Sequence, residues 1–402
     1  MKKGRWKLGI VCFSTVLSLL LLVGAMLGQE KTSKEPYTQL GVLSEVLSRI
    51  QTDYVEDPNF SKVTNGALHG LVESLDPYSS YLTPDEYKAY EAKHNADASV
   101  GVVVSKRAGF VSIVTALPGG PAQKAGLQAG DVIESIDGRS TREMSLAEVV
   151  YRLDGASGSG VKLAIVRERA NEPHNFDLKR APIVPPDPTS RMMDAGIGYL
   201  RVQSFPKGET QKIASRIQEL RKSGAKKFVL DLRDDASGDV EEGATAANLF
   251  IGKGLIGYLT EQQYPRKSFL ADAAKAVVQE PLVVLVNQST GGAAEVLAAA
   301  IQDNHRGQVV GERTFGIGSV QKVIPLDDGS ALILSIAKYF SPNGKQIQEN
   351  GITPNVAVED ARDFVPLAES GSTPEPKKPT EDAPLKRAIE LLATSESMPK
   401  AA

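Results

Sequence analysis

Residues 282–286, Leu-Val-Val-Leu-Val, are an unbroken aliphatic run, long enough for a strand buried on both faces and too short for a helix. After Asn287 the chain is small and polar through Ala294. Then Glu295, Val296, Leu297, Ala300 and Ile301 recur at helical spacing until Asn304 and Gly307 end the run. The pattern predicts a central parallel strand, a tight turn and a helix. Such a turn lifts its residues above the carboxyl end of a sheet and aims helix amides at whatever lies there, which is where open α/β sheets place their sites. With 402 residues, 41% of them hydrophobic, the chain has material for two or three domains with ample core.

Residues 1–7 carry Lys2, Lys3, Arg5 and Lys7 without an acid, and 8–28 are uncharged and apolar. This is the pattern of a signal peptide or signal anchor, and 21 apolar residues can cross a bilayer with the basic flank left in the cytoplasm. No Ala-x-Ala cleavage site follows, which favours retained anchoring over release. The bulk is then expected on the periplasmic or extracellular side of a cell membrane, with a secreted form if the segment is cut. Taking those four positive charges from a whole-chain net charge of −3 leaves −7, a mildly acidic domain that argues against nucleic acid. The one cysteine, Cys12, lies inside the apolar segment, so the remainder has neither disulfide nor thiol nucleophile. The histidines, His69, His94, His174 and His305, stand far apart without metal-ligand spacing. Neither a metal nor a cofactor is expected.

Around the 282–286 run the sequence resembles the carboxyl-terminal processing peptidases, or tail-specific proteases, serine peptidases with an inserted PDZ domain. That family has Ser-Ala-Ser-Ala-Ser-Glu where this chain has Thr290-Gly291-Gly292-Ala293-Ala294-Glu295, so the nucleophile position carries Gly292. Downstream the family's Thr-Phe-Gly-Lys-Gly-Ser-Val-Gln becomes Thr314-Phe315-Gly316-Ile317-Gly318-Ser319-Val320-Gln321. The general base position is Ile317, and the glutamine that helps to orient the base is retained as Gln321. A Ser-Lys dyad works because burial lowers the lysine pKa, so a neutral amine can take the serine proton during attack on a carbonyl. Glycine offers no nucleophile and isoleucine no lone pair. Loss of either such member costs roughly six orders of magnitude in a well-studied serine peptidase, and losing both costs little more. The segment 230–238, Leu-Asp-Leu-Arg-Asp-Asp-Ala-Ser-Gly, resembles the family's Leu-Asp-Leu-Arg-Asn-Asn-Pro-Gly-Gly. The resemblance implies an oxyanion hole from this loop, at Ser237 and Gly238, with the amide of Ala293. Ser237 replaces a glycine; if that glycine needed positive φ, the loop must rearrange or carry strain.

The resemblance covers roughly residues 38–360 and implies a mixed α/β protease-like core, a helical N-terminal region and an inserted, β-rich PDZ domain with short helices. The expected divisions are 1–28 signal or anchor, 29–95 helical region, 96–170 PDZ domain, 171–360 core, and 361–402 a linker or disordered tail rich in Pro, Glu, Lys, Ser and Thr. Helices are predicted over 37–54 and 63–75, the second ending at Asp76-Pro77 inside the family signature Leu75 to Leu82. In the PDZ domain the loop and strand Val100, Gly101, Val102 and Val103, with Val149 and Leu153 from the helix 146–153, are the expected peptide-binding residues, the loop amides holding a terminal carboxylate. Some of these valines are expected to be core, since alternate strand residues point opposite ways. Where the family has Arg-Gly after this helix, the chain has Asp154-Gly155, with Arg152 two residues away. In the core, strands are predicted over 176–180, 197–205, 227–232, 255–260 and 330–339, helices over 212–223 and 241–250, and a short closing helix over 384–394.

Three readings of function follow. The first is a membrane-held pseudoprotease that binds unstructured protein C-termini through its PDZ domain, or modulates an active homologous peptidase by co-assembly. The second is an active tail-specific endopeptidase using relocated residues from among Ser289, Thr290, Ser319 and Lys322. The third is a purely structural subunit of a homo-oligomer.

Overall fold

The computed structural model describes residues 35–94, 96–167, 172–262, 265–360 and 381–394. The apolar segment 8–28 and most of the tail from 361 lie outside these residues. Among the described helices none is long and apolar enough to cross a membrane.

The described residues up to Gly66 and those from Ala67 onward form two compact units. The first contains α1 (Glu35–Asp53) and the start of α2 (Phe60–Glu73). In the second, β1 (Ser80–Leu82) and α3 (Pro84–His94) lead into the PDZ domain. Its sheet contains β2 (Val102–Arg107), β3 (Phe110–Ala116), β4 (Val132–Ile136), β5 (Gly160–Val166) and β6 (His174–Lys179) in that order. Helix α4 (Leu146–Leu153) is capped by the Ser145 hydroxyl, which accepts from the Glu148 amide. Its apolar residues Leu146, Val149 and Leu153 join Val104, Ile113 and Ile133 of the sheet in one buried cluster.

The core is a six-stranded sheet. Strand β7 (Thr189–Met193) pairs antiparallel with β8 (Ile197–Arg201), followed by parallel β9 (Lys227–Asp231), β12 (Leu282–Val286) and β13 (Gln308–Gly311), with Val356–Ala357 at the edge. Strand β12 is central and wholly buried, as its aliphatic run predicts. Its side chains divide by parity. Leu282, Val284 and Val286 face a core shared with α5 (Glu209–Lys222), α6 (Val240–Ala247) and α7 (Ala293–Asp303). Val283 and Leu285 face the opposite side, covered by Ala388 and Leu392 of α8 (Ala383–Thr394).

A second sheet carries β1, β10 (Leu255–Glu261), β11 (Lys267–Leu270) and the long hairpin of β14 (Ser319–Pro325) and β15 (Ala331–Phe340). Strand β8 is shorter than the predicted 197–205. After Val202 donates to the Asp231 carbonyl, the chain leaves that ladder and Phe205 forms an isolated parallel bridge with Gly238. That departure brings the 234–238 loop to the end of the sheet.

Candidate functional site

The turn after β12 is held by a closed set of hydrogen bonds. The Asn287 amide donates to Thr290 Oγ1 at 3.0 Å, and Thr290 Oγ1 donates to the Leu232 carbonyl at 2.9 Å. Asn287 Nδ2 donates to Asp234 Oδ1 at 2.7 Å, while the Asp234 amide donates back to Asn287 Oδ1 at 3.1 Å. The Gly291 amide donates to the Asp235 carbonyl at 2.7 Å. The 234–238 loop is thereby fixed directly over the helix start, and Thr290 is fully used in building the turn.

Gly292 caps α7 at φ 58° and ψ −119°, a backbone conformation that favours glycine. A Cβ built there meets nothing within 4 Å, so the place of the family's serine side chain is open space. Ile317 lies beside the preceding residue, since a Cβ on Gly291 would stand 3.0 Å from Ile317 Cδ1 and 3.0 Å from Ala236 Cβ. Gly292, Ile317 and the 234–238 loop, where the resemblance expects nucleophile, base and oxyanion hole, are thus neighbours.

Glu295 ties the two segments together. Its buried carboxylate accepts from the amides of Gly292 (3.0 Å), Gly316 (2.7 Å) and Ile317 (2.8 Å) and from the Thr314 hydroxyl. Burial pushes this carboxyl up to about 7, against the pull of its hydrogen bonds to Thr314, Ile317, Gly316 and Gly292. Gln321, beside a bulge at Val320/Gln321, is exposed, and its Nε2 donates to Ser319 Oγ (2.7 Å) and Ser335 Oγ (3.3 Å). Lys322 is also exposed on this strand.

Ser237 does not occupy the left-handed region; positive φ in this loop falls on Asp234 (63°) and Gly238 (108°). The strain anticipated at the lost glycine is therefore absent. Gly238 is irreplaceable for a different reason, because a Cβ there would lie 2.4 Å from the Phe205 backbone. Ala293 is the first residue of α7, so its amide is among those that have no acceptor within the helix.

Sequence reasoning passed over Asp235, which stands where the family has asparagine. Its Oδ1 accepts from the Ser237 amide at 3.2 Å, but its buried Oδ2 has no hydrogen-bond partner among the described residues. Burial pushes this carboxyl well up from the usual range, and the charges of Glu209 and Asp234 add to the effect. The acid-for-amide exchange was visible in the sequence; the burial was not. The neighbouring Arg233 is also buried, and holds Asp231 (2.6 Å), Asp360 (3.2 Å) and Asp382 (2.9 Å) around it.

Of the six residues expected to bind peptide, Val100, Val149 and Leu153 are packed into the PDZ core, so their apolar surface is spent on folding. Val102 and Val103 are half-buried on β2, an edge strand, but Gly101 is buried at a positive φ of 79°, its amide donating to Ser99 Oγ at 3.2 Å and the Val100 amide to the Leu153 carbonyl at 3.3 Å, so these loop amides are not free to hold a carboxylate. Arg152 does not replace the family's missing arginine, because its guanidinium is bound to Glu148 at 2.8 Å on its own helix. The PDZ domain meets the core elsewhere. Arg107 Nη2 donates to the Phe315 carbonyl at 2.8 Å, its guanidinium stacked 4.0 Å from that ring, and Thr115 Oγ1 donates to the Asp234 carbonyl at 3.0 Å. The signature at 75–82 is part of the same seam. Asp76 accepts from the amides of Tyr78 and Ser79 and from the Ser335 hydroxyl, and the Tyr78 hydroxyl lies 3.3 Å from Ser105 Oγ. No group of three or more His, Cys, Asp or Glu suited to a metal occurs among the described residues.

An α/β core with a strand–turn–helix site and an inserted PDZ domain defines a tail-specific-protease-like protein. The comparisons agree: residues 196–358 match the model for peptidase family S41, and residues 112–167 match a PDZ domain model. The carboxy-terminal processing protease CtpA of Bacillus subtilis is 33% identical over 350 residues, covering 86% of this chain and 74% of that protein. The carboxyl-terminal-processing protease of Synechocystis is 33% identical over 77% of this chain and 74% of its own length. The solved structure of the photosystem II D1 C-terminal processing protease superposes with a TM-score of 0.66 at 29% identity, covering 78% of this chain and 86% of that one. The chain belongs to the carboxyl-terminal processing protease family.

Proposed function

We propose that this chain is a pseudoprotease, held at the outer face of a membrane by its N-terminal segment, that captures unstructured protein C-terminal tails without cleaving them. The observation that carries the reading is the pair Gly292 and Ile317: the space for a nucleophile is present and empty of any side chain, and an alkyl group fills the base position beside it. Neither can attack an acyl carbon or move a proton. The PDZ domain supports tail capture, with the open edge of β2 as its ligand-facing part.

The names of the relatives favour the alternative of an active endopeptidase. Ser289 is the hydroxyl best placed for it, since it lines a cleft of about 620 Å³ between the PDZ domain and the core. The cationic residues lining that cleft are Arg107 and Arg313, neither of which can act as a neutral base near pH 7. Thr290 is committed to the turn, and Ser319 accepts from Gln321. The decisive assay presents an unstructured, C-terminally labelled substrate to the full chain beside Gly292→Ser, Ile317→Lys and the double variant. The expected result is saturable binding with no turnover by the unmodified chain. Cleavage by the unmodified chain overturns the reading, and an absence of both binding and cleavage leaves the structural-subunit alternative.

A further inference from the structure

Where the PDZ domain, the linker and the 234–238 loop meet, there is a cavity of about 190 Å³. Leu117 and Pro118 come from the PDZ domain, Ile183, Val184, Pro185 and Pro186 from the linker, and Pro206 from the core. Prolines have no amide hydrogen to offer, so these walls present hydrocarbon. Of the two side-chain hydroxyls in the lining, Ser237 Oγ donates to Ser204 Oγ at 3.0 Å. The volume is below the roughly 300–1,000 Å³ of pockets that hold whole small ligands, and suits a single side chain.

A second feature indicates that this side chain belongs to a peptide. Gly238 also lines the cavity, and its bridge with Phe205 is made through the flanking residues: the Phe205 amide donates to the Ser237 carbonyl, and the Asp239 amide to the Phe205 carbonyl. The N–H and C=O of Gly238 itself therefore face away from Phe205, as on a strand edge, exposed and without a partner among the described residues. An apolar pocket beside an open backbone edge is the arrangement that β-strand addition uses.

We infer that this cavity is a specificity pocket for one internal apolar side chain, of leucine size, on an extended peptide that pairs with Gly238. The inference rests on the tail-capture reading and adds a residue preference to it. Ser237, a glycine in the family's motif, sets the pocket's depth through its bond to Ser204. Ile183 forms one wall and also presses on the PDZ loop, its Cδ1 lying 2.9 Å from where a Cβ on Gly101 would stand.

The test is fluorescence anisotropy with the full chain and labelled Gly/Ser dodecapeptides sharing one C-terminal residue, with a single leucine moved through the internal positions. One position should gain about tenfold in affinity over serine, the scale expected for burying such a side chain, and aspartate there should abolish the gain. Val184 is 77% exposed, so Val184→Asp leaves folding intact; it should remove the leucine preference. Ser237→Gly should extend acceptance to phenylalanine. Binding that depends on the C-terminal residue alone, with no internal preference, overturns the pocket and leaves tail capture standing. A leucine preference that survives Val184→Asp also overturns the pocket. Absence of any peptide binding removes both.

Discussion

Position 292 keeps the backbone shape in which the family's motif carries a serine. The backbone at φ 58° and the open volume beyond the missing Cβ are what a projecting serine would require, and Glu295 still accepts from the Gly292 amide. Gly292→Ser is therefore predicted to fold, losing about 1–3 kcal/mol for a side chain held in a left-handed conformation; urea titration checks this, and a loss of cooperative folding contradicts it. Asp235 allows a pH experiment. An acid raised on folding holds its proton more tightly in the folded than in the unfolded chain. Its stability contribution is therefore complete below the unfolded carboxylate range near pH ~4 and declines as pH rises toward the folded value. The nearby charges on Glu209, Asp234 and Arg201 modulate this without reversing it. Asp235→Asn should exceed the parent in urea midpoint at pH 8, with the gap closing toward pH 4; a gap independent of pH contradicts the assignment.

At the scale of elements, the periodicity of the sequence located the parts of the core that are buried on two sides. Strand β12 occupies the whole of its aliphatic run, and α7 follows after the small-residue turn. What pattern could not locate were places where one element's end is set by another. Strand β8 stops early because Phe205 is drawn to Gly238, and Gln321 is exposed beside a bulge. Likewise Val100, Val149 and Leu153 fit either a groove or a core by spacing, and packing placed them in the core. Helix α8 was legible as a short closing helix, but its task was not. It covers the second face of the central sheet, and Asp382 at its start reaches Arg233. Leu392→Ala should cost about 2–5 kcal/mol, the range for truncating a buried leucine; a change in stability below ~1 kcal/mol would show that the helix is dispensable to the sheet.

For the molecule as a whole, an α/β core joined to a PDZ domain is the arrangement of the family. The resemblance gave the family and the fold class. It could not give the seam, where Arg107 on Phe315, Thr115 on Asp234 and Ile183 against Gly101 connect residues far apart in sequence. The central claim is that no residue over the end of β12 can form an acyl-type bond. Its most direct test is intact-mass spectrometry of the full chain after exposure to a fluorophosphonate, which traps activated serine or threonine hydroxyls irrespective of substrate. The account predicts an unchanged mass. A stoichiometric adduct that peptide mapping places within residues 281–321 would contradict it.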